Sequence, residues 1–346
     1  MKRVIGAAFL SGVVVLVAGA SEAGAAVRRV PHSYPTIQAA VDASSPGDSI
    51  EVGPGQYCGA TLDRPVHLLG HGQPVIVGCA GGPALSRGER IGFFLPGTAG
   101  DNPASGSSIQ GFVFDGRGLS QTNLDPIALA IFARFANSVQ VSHNTFLGTV
   151  QAVTNTAGDD WTISQNHIVD LTLFDCSGAL CEGGDGIVLQ IARGDLATAG
   201  GPSDPANRPE RNVVVDNRIS GAIPDGFDAF SMAGVFVLVA DGTVIARNQV
   251  SIPDNPTADA SGDGILISNS CCGEAPIVPG VRNTVVIAND GRGSQFAVVV
   301  EGSGGANTQG LVLFGNRGTV EIEGTVVSDD HHCLAHRDRG PHHLLF

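Results

Sequence analysis

The sequence predicts an all-β protein that folds as a single right-handed parallel β-helix solenoid with a short N-terminal capping helix. Three features predict it: a repeated unit that carries asparagine, a second type of strand that alternates with this unit, and an amphipathic segment near the start. No helical pattern of comparable length competes with the strands after residue 45. A β-sandwich or propeller would need tight hairpin signals such as Asn-Gly, which are absent between the strand runs, so the solenoid is favoured.

The repeated unit is a short alternating strand followed by a turn. In each copy an aliphatic residue lies three positions before an asparagine, and the asparagines are Asn144, Asn166, Asn217, Asn248, Asn289 and Asn316. Because asparagine tolerates left-handed backbone, we expect it to take that conformation at the turn. We also expect these side chains to stack in register and to bond the backbone of neighbouring coils. Their spacings of 22, 51, 31, 41 and 27 residues predict roughly nine to eleven coils, with two coils in one long interval.

A second type of strand lies between the asparagine units. It is apolar and follows glycine or a short side chain, as in residues 186–189, 234–238, 264–267 and 297–300. This alternation is typical of successive solenoid faces in which each coil buries its apolar side against its neighbours. Loops at residues 79–108, 171–183, 190–211, 253–262 and 270–281 are then expected to project from turns and to form the walls of a lateral groove.

Residues 35–57 predict a short helix, a strand and a tight turn. Ile37, Ala40 and Val41 share one helical face, and residues 46–48 end the helix before the strand. A helix in this place caps the open end of a solenoid core.

The same segment resembles the opening of pectin-lyase-like right-handed β-helix proteins, a superfamily that includes pectate lyases, pectinesterases, polygalacturonases and alginate epimerases. The match is confined to residues 35–57, so the resemblance implies the fold rather than one activity. Gln151-Ala152-Val153 resembles a pectinesterase element, and Gly158-Asp159-Asp160 resembles the adjacent-Asp element of polygalacturonases. The remaining catalytic segments of both families are missing.

The first 26 residues predict a secretory signal peptide. Lys2 and Arg3 precede an uncharged apolar run that ends at small residues around Ala25, and the run is short for the alternative, a membrane anchor. We therefore expect a signal peptide at 1–26, a β-helix domain at 27–328 and a histidine-rich C-terminal tail at 329–346. The mature protein is expected to be a secreted or periplasmic monomer with no further membrane span.

Seven cysteines in an exported chain predict disulfide bonds. Cys58 and Cys79 lie 21 residues apart, close to the length of one coil, so we expect them to be bonded across adjacent coils. Cys176 and Cys181 are expected to close a local loop.

The charge of the chain excludes several functions. The formal net charge is −14, and the only lysine is Lys2 in the predicted signal peptide. Lysine general-base and Schiff-base chemistry are therefore excluded for the mature chain. The negative charge argues against nucleic acid as a partner and against unaided attraction of polyanionic sugars. Bound Ca²⁺ would reverse the second argument locally.

The candidate catalytic residues are three acids and one arginine. Asp185 and Asp263 occupy identical Gly-Asp-Gly-Ile settings, Asp228 lies between them in sequence, and Arg193 is a candidate cation for β-elimination. Asp185 and Asp263 are also the candidate Ca²⁺ ligands, because equivalent carboxylates on stacked coils can assemble a cation site. The alternative is that Gly-Asp-Gly is turn chemistry at the entrance to a strand.

The candidate substrate-binding residues are Arg211, Arg218, Asp159 and Asp160. With the fold, they predict a protein that binds an extracellular polysaccharide along a lateral groove and, if it is an enzyme, acts as a uronate lyase or glycoside hydrolase. The alternative is a non-catalytic surface or adhesion module. The lack of a complete catalytic set and the scarcity of aromatic side chains support that alternative.

Overall fold

The structure, a computed structural model, describes residues 25–120, 122–173, 184–192, 205–226, 228–269, 277, 280–301, 308–322, 325–329 and 334–335. Within these residues the chain winds through three long sheets whose neighbouring strands are parallel, apart from two antiparallel pairs near the C-terminal end. The chain visits the eleven-stranded, the seven-stranded and the ten-stranded sheet in turn, coil after coil. This architecture is a right-handed parallel β-helix, and the predicted fold class is confirmed.

The strands are numbered along the chain. The eleven-stranded sheet contains β1 (Val27–Val30), β2 (Ser49–Val52), β5 (His67–Gly70), β8 (Ser108–Gln110), β11 (Gln140–Ser142), β14 (Thr162–Ser164), β17 (Val213–Val215), β20 (Val244–Ala246), β24 (Val285–Ile287), β27 (Val312–Phe314) and β30 (Leu334–Ala335). The ten-stranded sheet contains β4 (Ala60–Thr61), β7 (Arg90–Leu95), β10 (Ile127–Arg134), β13 (Gln151–Thr156), β16 (Gly184–Gln190), β19 (Asp228–Leu238), β22 (Asp259–Ser268), β25 (Phe296–Val300), β28 (Thr319–Ile322) and β29 (Thr325–Asp329).

The seven-stranded sheet contains β3 (Gln56–Cys58), β6 (Val75–Val77), β9 (Val113–Asp115), β12 (Thr145–Leu147), β15 (His167–Leu171), β18 (Arg218–Gly221) and β21 (Gln249–Ser251). A small fourth sheet pairs β23 (Val281–Arg282) with β26 (Thr308–Gln309). The helices are α1 (Ile37–Asp42) and a 3₁₀ turn at Pro205–Asn207.

Each interval between the repeated asparagines is one coil. Strands β11, β14, β17, β20, β24 and β27 are consecutive neighbours in their sheet, and β14 pairs directly with β17 across the 51-residue interval. The prediction of two coils in one long interval is therefore wrong. A loop inserted at a turn lengthens the chain without adding a layer to the stack.

Apolar side chains from all three sheets fill the interior. Phe93 packs edge-to-face on Phe112 and Phe114 with ring centroids 5.3 and 5.4 Å apart, and Phe114 stacks on Phe146 at 4.9 Å. Trp161 is fully buried and its Nε1 donates to the carbonyl oxygen of Ala136 at 2.6 Å. Five large aromatic side chains, Phe93, Phe112, Phe114, Phe146 and Trp161, thus pack in the core of the N-terminal and central coils.

Helix α1 covers the N-terminal end of this core. The hydroxyl of Thr36 accepts a hydrogen bond from the amide of Ala39 at 3.0 Å, which is an N-cap. Ile37, Ala40 and Val41 are fully buried and belong to the main core. The predicted capping helix and its buried face are confirmed.

The predicted asparagine stack is present and continuous. Oδ1 of Asn166 accepts from the backbone amide (3.1 Å) and Nδ2 (3.2 Å) of Asn144, and Nδ2 of Asn166 donates to the carbonyl oxygen of Val141 at 2.9 Å. The same three bonds recur at each later step of the ladder formed by Asn144, Asn166, Asn217, Asn248, Asn289 and Asn316. All six asparagines are at most 7% exposed, so these polar groups are satisfied inside the protein.

The left-handed residue at this turn is the residue before each asparagine. His143, Gln165, Asp216, Arg247 and Ala288 have φ between 55° and 58°, and Gly315 has a φ of 62°. The expectation that the asparagine itself takes this conformation is wrong, because its side chain must point inward to bond the next coil. A left-handed non-glycine residue costs roughly 1 kcal/mol or more, and the ladder bonds offset that cost.

A disulfide bond joins the first coils. Cys58 ends β3 and Cys79 follows β6, which pairs with β3 in parallel, and the two Cα atoms are 5.5 Å apart. The predicted Cys58–Cys79 bond is confirmed. Cys176 and Cys181 lie outside the described residues. Among the described residues, none of the helices has the length and apolar character needed to cross a membrane.

Replacing Asn166 with alanine should lower the free energy of unfolding by roughly 1–3 kcal/mol, because it leaves the amide of Asn144 and the carbonyl of Val141 buried without partners. Asn123→Ala is the matched control, since Asn123 bonds only within an exposed loop. Denaturant unfolding of both variants measures the difference. Equal losses for the two variants would show that the ladder bond has no special weight.

Removing the disulfide by Cys58→Ser with Cys79→Ser should destabilise the protein by about 2–4 kcal/mol, because the bond limits the unfolded chain. Peptide mapping under non-reducing conditions should recover the two cysteine peptides linked. Recovery of either peptide with a free thiol in the folded, oxidised protein contradicts the assignment.

Candidate functional site

Two of the predicted catalytic acids lie in one row of the ten-stranded sheet. The register pairs Gln151 with Asp185, Asp185 with Ala233, Ala233 with Asp263 and Asp263 with Phe296. Asp185 and Asp263 are therefore separated by one intervening strand. Two strand spacings place their Cα atoms ~9.6 Å apart.

This row faces away from the main core. Ala233 packs with Leu266, Val299, Phe236 and Phe296 in a cluster that is separate from the solenoid interior. Asp263 lies between Ala233 and Phe296 in register, so it belongs to the same outer face.

The glycines that follow Asp185 and Ala233 in this row explain how the chain achieves this orientation. A Cβ atom on Gly186 would lie 3.0 Å from Cγ2 of Ile219, and one on Gly234 would lie within contact distance of the Val250 side chain. These glycines thus face the crowded interior, where no side chain fits. Gly-Asp-Gly lies inside β16 and β22, so it is a strand feature in this protein and not turn chemistry.

Asp263 is the most perturbed acid of this row. It is 1% exposed, its Oδ2 accepts a hydrogen bond from the hydroxyl of Ser261 at 3.0 Å, and its Oδ1 has no hydrogen-bond partner among the described residues. Burial raises the pKa of Asp263 to about 7, against the opposing effect of the Ser261 bond, and the charges of Glu301 and Glu321 raise it further. Near neutral pH this carboxyl group therefore holds its proton about half of the time.

Two further acids accompany Asp263 on the C-terminal coils. Glu301 follows β25, and its pKa is raised by burial and by the charge of Glu321, which lies in β28. Neither glutamate is predicted from the sequence. Neither stands in a recognisable motif, and only the stacking of coils brings them near Asp263.

The described residues contain no group of three histidine, cysteine or acidic side chains arranged to hold a metal ion. Ca²⁺ takes about six to eight oxygen ligands, so the carboxylates of Asp185 and Asp263 would supply only part of its coordination shell. A Ca²⁺ site at this pair stays a prediction.

A second group of predicted residues lies at the corner that leads from the ten-stranded to the eleven-stranded sheet. Arg211 donates from Nε and Nη2 to the two carboxylate oxygens of Asp160 at 2.8 and 3.0 Å, and from Nη1 to Glu210 at 2.6 Å. Asp159 lies 3.6 Å from the same guanidinium, and burial raises the pKa of Asp159. The Arg211 bonds lower the pKa of Asp160, so this group is a set of ion pairs between adjacent coils.

The other predicted residues are not brought to either group. Arg218 lies in β18 of the seven-stranded sheet, exposed and in register with His167 and Gln249. The backbone of Asp228 begins β19, five positions before Ala233, and its side chain is not described. Arg193 lies outside the described residues. The structure thus brings together Asp159, Asp160 and Arg211 at one corner and aligns Asp185 with Asp263 on one face, without joining these two places.

A polar cleft adjoins Asp263. It has a volume of about 380 Å³ and is lined by Asp254, Asn255, Pro256, Ala258, Ala260, Ser261 and Gln295. Ser261 connects the cleft to Asp263 through the hydroxyl bond. The sequence predicted a groove wall at residues 253–262 but not the individual lining residues, because serine, asparagine and glutamine in a loop carry no distinctive pattern.

The chain matches no protein-family profile, and no curated protein is similar to it in sequence. Solved structures with limited similarity to it include three that it covers over most of their length. An alginate lyase from a Paenibacillus species is 17% identical with a TM-score of 0.44, covering 83% of this chain and 95% of the other. A pectin methyl esterase from rice weevil is 12% identical with a TM-score of 0.49, covering 87% and 90%. The Streptococcus pneumoniae surface protein and adhesin PfbA is 11% identical with a TM-score of 0.43, covering 80% and 88%.

Replacing Asp263 with asparagine should stabilise the protein at alkaline pH. The folded pKa of about 7 lies above the ordinary 3.8, so the unfolded chain loses this proton first, and stability falls as pH rises between those two values. Asp263→Asn removes this pH-dependent loss of stability, which reaches ~4 kcal/mol at pH values above the folded pKa. Unfolding midpoints of variant and parent at acid and alkaline pH measure it.

Asp216→Asn is a control of opposite sign. The Arg247 hydrogen bond lowers the pKa of Asp216, so its small stabilisation is present at neutral pH and is lost on acidification. The pair is exposed, and the variant should lose less than ~1 kcal/mol. An Asp263→Asn difference that is the same at acid and alkaline pH would contradict the raised pKa.

Proposed function

We propose that the outer face of the ten-stranded sheet binds an extracellular polysaccharide and hydrolyses it, with Asp263 as the general acid. The observation that carries this proposal is the row in which Asp185 and Asp263 flank Ala233. The confirmed disulfide supports an oxidising compartment, and therefore export.

The protonation state of Asp263 suits the role of an acid. A general acid must hold a proton at the working pH and give it to the departing glycosidic oxygen. A carboxyl group with a pKa of about 7 does so near neutrality, whereas an ordinary aspartate is ionised there. Asp185, which keeps 9% of its surface exposed, is the proposed base that activates water.

The separation of the two acids indicates the type of hydrolysis. Retaining glycosidases place their carboxylates ~5–5.5 Å apart, and inverting ones place them ~6.5–9.5 Å apart to leave room for water. Asp185 and Asp263 project from the same face, so their carboxyl groups are separated by roughly the ~9.6 Å between their Cα atoms, which is at the upper limit of the inverting range.

Hydrolysis is favoured over β-elimination by the groups that act on Asp263. They are Ser261, Glu301 and Glu321, none of which is cationic. An elimination on a uronate needs a positive group or metal ion to neutralise the substrate carboxylate. At the corner site, Arg211 is engaged by Asp160 and Glu210.

A non-catalytic surface or adhesion module is the second candidate. The burial of Asp263 favours this non-catalytic function, since a substrate reaches an acid that is 1% exposed only if the residues around it move aside. The cleft beside Ser261 is the opening through which that approach would occur.

The test measures product release from pectin, alginate and neutral glycans, with and without a chelator. The parent should release new reducing ends with inverted anomeric configuration, and the rate should fall as pH rises past about 7, because the acid form is required. Asp263→Asn and Asp185→Asn should each reduce the rate by ~10²-fold or more, while Asp216→Asn should not.

Two outcomes contradict the proposal. Unsaturated products that absorb in the ultraviolet would identify a lyase. Retained glycan binding with no product from any substrate, with or without Ca²⁺, would identify the non-catalytic module.

A further inference from the structure

We infer that the cleft beside Asp263 takes an uncharged sugar, so that the ligand of this protein is a neutral glycan and not a polyuronate. This inference rests on the proposed function and names its substrate class. Three features of the cleft support it: the residues that line the cleft, the hydrogen bonds that hold its wall, and the charges around it.

The floor of the cleft offers neutral hydrogen-bonding groups. The Gln295 side chain accepts from the amide of Gly262 through Oε1 at 3.1 Å, and its Nε2 has no partner among the described residues. Ser261 presents its hydroxyl between the cleft and Asp263. Amide and hydroxyl groups bind sugar hydroxyls, which both donate and accept.

The wall of the cleft is held in shape by its own bonds. Nδ2 of Asn255 donates to the carbonyl oxygen of Ile223 and to Oδ1 of Asp225, both at 2.9 Å. Thr257 donates from its hydroxyl to the same Asp225 oxygen at 3.1 Å, and its amide donates to Oδ1 of Asn255 at 3.0 Å. Asn255, one of the lining residues, is therefore held in place before a ligand arrives, which lowers the entropic cost of binding.

The charge around the cleft has one sign. Asp254 lies in the lining, Asp225 holds the wall, and bonds from Asn255 and Thr257 lower the pKa of Asp225, so that it stays ionised. Asp263 lies behind Ser261 with an unpartnered buried oxygen. The lining residues that the structure describes include no arginine or histidine. A uronate carboxylate would meet like charges here, whereas a sugar hydroxyl would find acceptors.

The arginines nearest in sequence do not change this balance. Arg292 binds both oxygens of Asp290 at 2.9 and 2.6 Å, and Arg247 binds both oxygens of Asp216 at 2.8 Å. Both guanidinium groups are bound to acids outside the cleft. The charge of the whole chain, −14, acts in the same direction against a polyanion.

The test asks whether reversing the charge of one lining residue changes the preference of the protein for neutral over acidic glycans. Binding is measured in the Asp263→Asn background, so that turnover does not consume the ligand. The probes are neutral hexasaccharides of glucan, mannan and xylan, and acidic hexasaccharides of galacturonate and mannuronate. The Asp254→Arg variant places a cation on the lining, and Asp101→Arg makes the same charge change in an exposed loop of the N-terminal coils.

We expect at least one neutral hexasaccharide to bind about tenfold or more tightly than either acidic one. Asp254→Arg should reduce that preference by about tenfold, and Asp101→Arg should leave it unchanged. Tighter binding of an acidic probe than of every neutral probe in the Asp263→Asn background overturns the inference, and so does a preference that Asp254→Arg fails to change.

The outcome for the proposed function is separate. A neutral glycan that binds the protein but is not cleaved by the parent refutes hydrolysis and leaves the substrate class standing. Cleavage confined to galacturonate or mannuronate polymers refutes the substrate class and leaves hydrolysis standing.

Discussion

The structure depends on a buried amide ladder. Each asparagine from Asn166 to Asn316 accepts two hydrogen bonds from the asparagine of the preceding coil, and its own Nδ2 reaches back to a backbone carbonyl of that coil. Side chains along a strand alternate between its two faces, so a register slip of one residue would turn every inward side chain outward. Parallel strands therefore need an interaction that holds their register. The ladder supplies it at one corner of every central coil, at the cost of a left-handed residue before each asparagine.

Fixed register is what aligns the candidate site. Asp185 and Asp263 are 78 residues apart in the chain, yet lie on the same row because exactly one coil, represented by Ala233, separates them. The inward-facing Gly186, which follows Asp185, keeps that carboxyl group on the outer face. Burial under that face, with Glu301 and Glu321 nearby, raises the pKa of Asp263 into the range where an acid is useful near neutral pH. The chemistry proposed for this protein thus follows from the stacking of coils.

The sequence was sufficient for features that repeat or are local. The asparagine spacing predicted the ladder, the face of Ile37, Ala40 and Val41 predicted the cap, and the distance between Cys58 and Cys79 predicted their bond. The sequence was insufficient where a loop lengthens a coil. A spacing of 51 residues between two asparagines suggested two coils, but this interval contains one coil. The Gly-Asp-Gly acids were found from identical settings, but Glu301, Glu321 and the cleft residues Ser261 and Gln295 were not. Their proximity arises from stacking and from loop conformation, and neither leaves a pattern in the chain.

Amide hydrogen exchange at the ladder asparagines shows whether the ladder holds the coils in register, and the alignment of the candidate site depends on these bonds. The backbone amides of Asn144, Asn166, Asn217, Asn248 and Asn289 lie at turns, yet each donates to a buried Oδ1 of the next coil. We expect these amides to exchange as slowly as the central strand amides, since exposing them to solvent requires separating two coils. Exchange at the rate of exposed loop amides would contradict this expectation, because the coils would then be held in register by something other than the ladder.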